Sequence, residues 1–256
     1  MTTIRSRDNP RVKRWAKLMT DSRFRKSEAR VLIEGPHLVA EALQAGLKPC
    51  ALIVSESGEA RPEIRSLLEK GDSDAVIVPD RIFGIVADAE TPPGIAAEIE
   101  LPEPRADGAK PVVFLEGIQD PSNVGAILRS AAAFGAGEVV LDRACADPWS
   151  PKALRAAMGG HFKLAVRQVD ELEEAIAAFS GTLVCTVPTA GISIGKADLD
   201  GRLGWIFGAE GQGVSEALAR RAAVKVTITM APGNESLNVA AAAAICLHET
   251  FARRES

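Results

Sequence analysis

The chain has 256 residues, of which 46% are hydrophobic and 25% charged, ordinary globular values that exclude a disordered or fibrous protein. Its 30 Lys and Arg against 34 Asp and Glu give a formal net charge of -4, which taken as an average argues against a phosphate-rich partner. The average conceals an uneven distribution. Residues 1–30 hold ten cations against three anions, a net of +7, so the rest of the chain carries -11. A basic arm on an acidic body points toward nucleic acid or an anionic surface.

In the arm, Asn9 is placed to cap a helix that has Pro10 at its first position. Val12, Trp15 and Met19 then fall on one face at spacings of three and four, with Arg11, Lys13, Arg14 and Lys17 on the others. Two readings stand side by side: a solvated basic helix packed on the body by Trp15, or an electrostatic foot for RNA or DNA. An Arg-rich start also fits an organellar transit peptide, but the helix signals make the arm part of the folded chain.

From residue 31 the pattern alternates between strand and helix. Val31–Ile33 reads as a strand, Pro36–Ala45 as a helix ended by Gly46, Ala51–Val54 as a strand, and 62–69 as a helix stopped by Gly71. Strands over Ala75–Val78 and Ile95–Ile99 follow, and the alternation implies a small α/β unit. Residues 101–111, with three prolines, a glycine and few apolar side chains, read as a linker. The rhythm then resumes with strands at Val112–Leu115, Val139–Leu141, Leu183–Cys185, Trp205–Phe207 and Val226–Ile228. Helices are expected over Asn123–Phe134, Pro151–Met158 and Glu171–Phe179, near Ser215, and from Ser236 onward.

Cys50, Cys145, Cys185 and Cys246 stand far apart, with no C-x-x-C and no histidine at ligand spacing. No metal and no disulfide framework is expected, and reduced thiols suit a cytoplasmic protein. The longest apolar run, Val239–Leu247, falls well short of the roughly 20 residues of a membrane span, and no apolar leader follows Met1.

Three stretches of the second half stand out. In Asp120-Pro121-Ser122-Asn123-Val124-Gly125-Ala126-Ile127-Leu128-Arg129, a polar turn opens a helix of small apolar residues. Arg129 is its only charge between Val124 and Ala136. Either Arg129 projects toward an anion, or it snorkels at the surface while Asn123 is a plain cap. In Gly204–Gly213, an apolar strand enters a loop with Gly208, Gly211 and Gly213, residues that let backbone approach a ligand. The order G-x-x-G-x-G is neither a dinucleotide fingerprint nor a phosphate loop, which excludes a nucleotide-dependent oxidoreductase. The third stretch, Ile228 to Val239, offers Ser236 as a helix cap and Asn238 as a poor helix former behind it.

Together and in this order, the three stretches resemble the signature motifs of the SpoU (TrmH) branch of the SPOUT RNA methyltransferases. An Asn-x-Gly pattern with Arg six residues after the Asn is met by Asn123, Gly125 and Arg129. Gly-x-Glu-Gly-x-Gly is met by Gly208, Glu210, Gly211 and Gly213, and Ser-Leu-Asn-Val by Ser236 to Val239. The resemblance covers roughly residues 111–250. The stretch 31–100, opening on Leu32-Ile33-Glu34-Gly35, is similar to the ribosomal-protein-like substrate-binding domain many members carry.

The resemblance implies an α/β fold in which residues 112–256 form a parallel-sheet methyltransferase domain with a deep trefoil knot, a topology that chain-connection rules alone would reject. Residues 31–100 would form the smaller RNA substrate-binding domain, behind the basic arm 1–30. It further implies transfer of a methyl group from S-adenosyl-L-methionine to a ribose 2′-hydroxyl of RNA, in a homodimer with the site at the interface. Large-subunit rRNA is the expected substrate, with tRNA, or a non-catalytic role in ribosome assembly, as alternatives. Gly208, Gly211, Gly213, Ile228 and Leu237 are the implied cofactor residues, and Arg5, Arg7, Arg11, Lys13, Arg14, Lys17, Arg23 and Arg25 the expected RNA contacts. Arg129 is expected to bind the target phosphate and hydroxyl and stabilise the oxyanion, since a guanidinium offers only donors. Ser236 and Asn238 would position the hydroxyl, and Glu210 and Asn123 would hold Arg129 and the loops.

Overall fold

The computed structural model describes residues 2–71 and 74–254, so the last two residues of the stretch 112–256 lie outside the described residues. In chain order its elements begin with β1 (Thr2–Thr3), α1 (Pro10–Thr20), α2 (Ser22–Glu28), β2 (Arg30–Glu34), α3 (Pro36–Gln44) and β3 (Ala51–Ser55). Next come α4 (Glu56–Glu59), α5 (Pro62–Lys70), β4 (Ala75–Val78), α6 (Asp80–Phe83) and β5 (Ile95–Glu100). The second half holds β6 (Val112–Leu115), α7 (Pro121–Ala133), β7 (Glu138–Leu141), α8 (Pro151–Ala157), β8 (Ala165–Gln168) and α9 (Leu172–Ala177). It ends with β9 (Thr182–Thr186), β10 (Ile192–Ser193), β11 (Leu203–Phe207), α10 (Glu216–Arg221), β12 (Val224–Thr227) and α11 (Val239–Arg254). The chain forms two compact units, Met1–Glu103 with Trp149–Phe162, and Pro104–Pro148 with Lys163–Ser256.

The first unit is built on a five-stranded sheet of order β1-β4-β3-β5-β2, in which β5 runs antiparallel to both its neighbours. Its strands are apolar at nearly every position because both faces are covered, and the two-residue period sorts the side chains. Leu32, Ile53, Val76 and Val78 join Val12, Trp15, Leu18 and Met19 of α1 on one face. Val31, Ile33, Leu52, Val54 and Ile77 join Leu38 and Val39 of α3 and Ile64 of α5 on the other. Leu154 of α8 lies in this second cluster, with Trp149 and Phe162 packed against it. The segment 149–162, contiguous in sequence with the second half, thus completes the core of the first unit.

The first thirty residues are integrated into that unit. Asn9 accepts from the Arg11 N–H and Pro10 occupies the first turn of α1. The helix α2 has no clear apolar stripe in its sequence, and it is set by Asp21, whose side chain accepts from the Phe24 N–H. Arg25, expected among the RNA contacts, is buried and donates to the carbonyls of Leu18 and Met19. It satisfies the open carbonyls at the end of α1 and has no surface to give to RNA. Arg14 donates to Glu98 of β5, which also accepts from Trp15 Nε1 at 2.8 Å, and Arg11 pairs with Asp74. Arg5, Arg7, Lys13, Lys17 and Arg23 are exposed.

The second unit carries a seven-stranded, wholly parallel sheet of order β10-β12-β9-β11-β6-β7-β8. β6 is a switch point: the chain first adds β7 and β8 on one side, then β9 to β12 on the other. In open parallel sheets, ligands bind in the crevice beyond the carboxyl ends of the strands at such a point. α7 and α11 pack against each other. Near its far end α11 is tied to the sheet, where Thr250 accepts from the buried Trp205 Nε1 of β11 at 3.1 Å.

Candidate active site

The loops that leave β9, β11 and β12 meet around a cleft of about 680 Å³, within the size range of small-molecule sites. Gly208, Gly211, Gly213, Ile228 and Leu237, the expected cofactor residues, all line it, together with Glu210, Ser236 and Asn238. Sequence reasoning missed Thr186–Pro188 after β9, as well as Met230, Val239 and Ala242. The signal at the first of these was a proline two residues beyond an apolar strand.

The glycine loop is a closed ring. Gly213 N–H donates to Ala209 O at 2.8 Å, forming an isolated antiparallel bridge between the two residues. A Cβ on Gly208 would lie 2.1 Å from the carbonyl carbon of Gly213, backbone against backbone, so only glycine closes the ring. Gly211 and Gly213 are needed for a different reason: their φ values of 84° and 71° are left-handed, and a Cβ there would meet open space.

Opposite the ring, the turn between β6 and α7 has its backbone N–H groups individually satisfied. Glu116 N–H bonds Phe207 O, Gly117 N–H bonds the Asp142 carboxylate, Ile118 N–H the Cys145 sulfur, and Gln119 N–H Glu210 Oε2. Burial and the neighbouring Asp142 raise the Cys145 thiol well above its ordinary value, so it serves here as a neutral structural group. The cap of α7 is Asp120, which accepts from Ser122 N–H; Asn123, expected to open the helix, sits inside its first turn.

That position frees the Asn123 side chain for a relay. Its Nδ2 donates to Glu210 Oε1 at 2.7 Å, and its Oδ1 accepts from Asn238 Nδ2 at 3.0 Å. Asn238 Oδ1 in turn accepts from the N–H groups of Ala240 and Ala241. The cap of α11 is therefore Asn238 and not the expected Ser236, because an Asn outside the first turn satisfies two open donors at once. One polar chain joins residues from each of the three motif stretches. Burial pushes Glu210 up, but the bonds from Asn123 and from the backbone N–H groups of Glu210, Gln119 and Asp120 outweigh it. The carboxyl is held below its ordinary range.

Arg129 is absent from this assembly. It is exposed, does not line the cleft, and makes no hydrogen bond or ion pair among the described residues. The expectation that Glu210 and Asn123 would hold it is corrected: six residues along a helix rotate a side chain by about 240°, which turns Arg129 away from Asn123. Among the described residues there is no group of three His, Cys, Asp or Glu able to hold a metal, and no helix long and apolar enough to cross a membrane.

A parallel sheet with a glycine ring and polar relay at its switch point defines an α/β ligand-binding domain carrying a second α/β unit. The chain belongs to the SpoU rRNA methylase family, whose model matches residues 110–248, and the MRM3-like substrate binding domain matches residues 9–97. It is 35% identical to the 23S rRNA (guanosine(2553)-2'-O)-methyltransferase RlmP of Bacillus subtilis, over 97% of this chain and 98% of that one. A crystal structure of an RNA 2'-O ribose methyltransferase is 30% identical, with a TM-score of 0.84 and full coverage of both chains. The SpoU methyltransferase AviRb from Streptomyces viridochromogenes, solved with AdoMet, is 25% identical with a TM-score of 0.88, over 97% of this chain and 99% of that one.

Proposed function

We propose that the protein transfers a methyl group from S-adenosyl-L-methionine to a ribose 2′-hydroxyl of RNA, with large-subunit rRNA as its substrate. The observation that carries this reading is the relay Glu210–Asn123–Asn238, which fixes three separate loops around one cleft. The cleft suits the cofactor. Gly211 and Gly213 of the ring present backbone with no side chain between it and open space, while Ile228 and Leu237 supply apolar contact for an adenosine. The bound cofactor supplies the electrophilic methyl group; all else falls to the chain.

The backbone of Gly208, Gly211 and Gly213 holds the cofactor. Ser236 lines the cleft and orients the ribose hydroxyl, and Asn238, whose amide is engaged by Asn123 and the start of α11, helps by fixing the segment that carries Ser236. Glu210 is a fixed anchor and a poor proton acceptor, since both oxygens are engaged and its carboxyl is already held low. Arg129 binds the target phosphate and stabilises charge developing on the ribose oxygen. Because it faces away from its own cleft, a second copy of the chain brings it to the site. The surface for that homodimer is offered by α7 and α11, where Ile245 and Phe251 are exposed. The trefoil knot belongs to the same proposal, as does a cytoplasmic location. The expected division into arm 1–30, RNA-binding domain 31–100, linker 101–111 and methyltransferase domain 112–256 is revised, because residues 1–30 and 149–162 pack into the first unit. That unit takes the RNA-binding role, while Pro104–Pro148 with Lys163–Ser256 takes the methyltransferase role.

Support for rRNA comes from the likeness to the Bacillus subtilis enzyme over nearly the whole chain and from the exposed cations of the arm. The test is a map of 2′-O-methyl positions in RNA from cells with and without the protein. One rRNA position should lose its methyl group; an unchanged rRNA map beside a changed tRNA position overturns the choice of substrate.

A further inference from the structure

The glycine ring is tied down at two places, and only one of them lies in the motif stretches. At its apex, Glu210 is held by Asn123 and Gln119. At its exit, Ser215 N–H donates to Glu116 Oε2 at 2.8 Å. Glu116 is the first residue after β6, half-buried, and its own N–H bonds Phe207 O at the point where β11 becomes the ring. The register places Leu115 beside Phe207, so one residue grips both the entry and the exit of residues 208–215. Ser215 is also the cap of α10, its hydroxyl accepting from Leu218 N–H, so the grip fixes where that helix starts.

We infer that Glu116 is a positioning residue for the cofactor. It touches nothing in the cleft; it holds the ring at the tilt that presents the backbone of Gly208 to Gly213. This rests on the reading of the cleft as the S-adenosylmethionine site and adds a residue outside its lining. The physical need is clear from the ring's own structure. The Ala209–Gly213 bridge closes it on itself, so its internal bonds do not decide its angle to the sheet; the bonds to Glu116 and Glu210 do.

What matters is the acceptor oxygen. Glu116→Gln keeps it and should bind S-adenosylmethionine within about two-fold of the original chain. Glu116→Ala removes a hydrogen bond to a charged acceptor and should raise the dissociation constant and the KM for the cofactor about ten-fold, with kcat at saturating cofactor within about two-fold. Glu116→Asp, one methylene too short, carries the same expectation as Ala if the Ala variant fails to fold. Hydrogen exchange of the ligand-free protein should show the ring and Ser215 losing protection in the Ala or Asp variant and keeping it in Gln. Unchanged exchange in Glu116→Ala overturns the inference, as does a Gln variant as weak as Ala. Absence of cofactor binding by the original chain sinks the functional reading instead, while the exchange result still decides the role of Glu116.

Discussion

Replacing Asn123 by Ala removes both of its relay bonds, and the structure allows the cost to be worked out. The bond from Nδ2 meets a carboxylate at 2.7 Å and the one to Oδ1 meets an amide at 3.0 Å. Bonds to charged groups contribute about 1.5–3 kcal/mol and neutral ones about 0.5–1.5, but both lie at the surface, so about 1 kcal/mol each is the appropriate figure. The variant should lose about 2 kcal/mol, which for a unit of this size lowers the melting temperature by roughly 5 °C. A double-mutant cycle with Glu210→Ala isolates the shared bond, because Glu210 keeps its backbone partner Gln119 in the single Asn123 variant. The coupling read from denaturant unfolding should be about 1 kcal/mol. A coupling below about 0.3 kcal/mol would mean that the relay is coincidental packing, and the account of how the three loops are joined would fall with it.

Arg129→Lys should lose about 100-fold or more in turnover with cofactor affinity unchanged, because an ammonium cannot reproduce the planar fork; a variant that keeps most of its turnover refutes the assigned role. Gly208→Ala should abolish cofactor binding in calorimetry, since its Cβ collides with backbone at 2.1 Å. Gly211→Ala faces open space and carries only left-handed strain of about 1 kcal/mol, so the two glycines should separate cleanly. Stability should respond to pH with opposite signs at two carboxyls. Glu210 is held below its ordinary 4.5, so its contribution is present above that value and lost as the pH falls through the lowered one. Burial raises Glu34 above 4.5 despite bonds from the N–H groups of Asp88 and Ala89, so the native state loses stability as the pH rises past 4.5. Glu34→Gln should therefore melt progressively higher relative to the original chain between pH 4 and pH 7, and a constant difference would refute this. Charge reversal at Lys13, Lys17 and Arg23 should weaken RNA binding and flatten its salt dependence. Deleting residues 1–30 is the wrong experiment, because it strips Val12 and Trp15 from the core.

The strands of both sheets were legible because parallel, doubly covered strands are short apolar runs bounded by turn residues. β1, β8 and β10 escaped notice: β1 and β10 are two residues long, and β8 has only Ala165 and Val166 as apolar residues before Arg167, which bonds Glu138 of β7. The cleft residues were reached through the resemblance of the three motif stretches to a known family and not through spacing alone, and the helical angle between Asn123 and Arg129, also in the sequence, contradicts their pairing. Two polar residues near the start of α11 could each have capped it, and only three-dimensional placement chose Asn238. Nothing in the sequence revealed where α8 packs. Ala153, Leu154 and Ala157 form an apolar stripe that would suit any neighbour, and such a stripe does not say which core it enters.

The docking of residues 149–162 into the first unit sets an order of events during synthesis. A chain emerging from the ribosome N-terminal end first has all five strands of the first sheet once residue 100 is out. The seat of Leu154 must then wait while about fifty more residues are made, at roughly 5–20 residues per second. For those few seconds the nascent protein exposes an apolar groove in an otherwise finished layer, a natural place for a chaperone to hold it. The chain crosses between the units three times, so neither can be cut away and expressed whole as a single stretch.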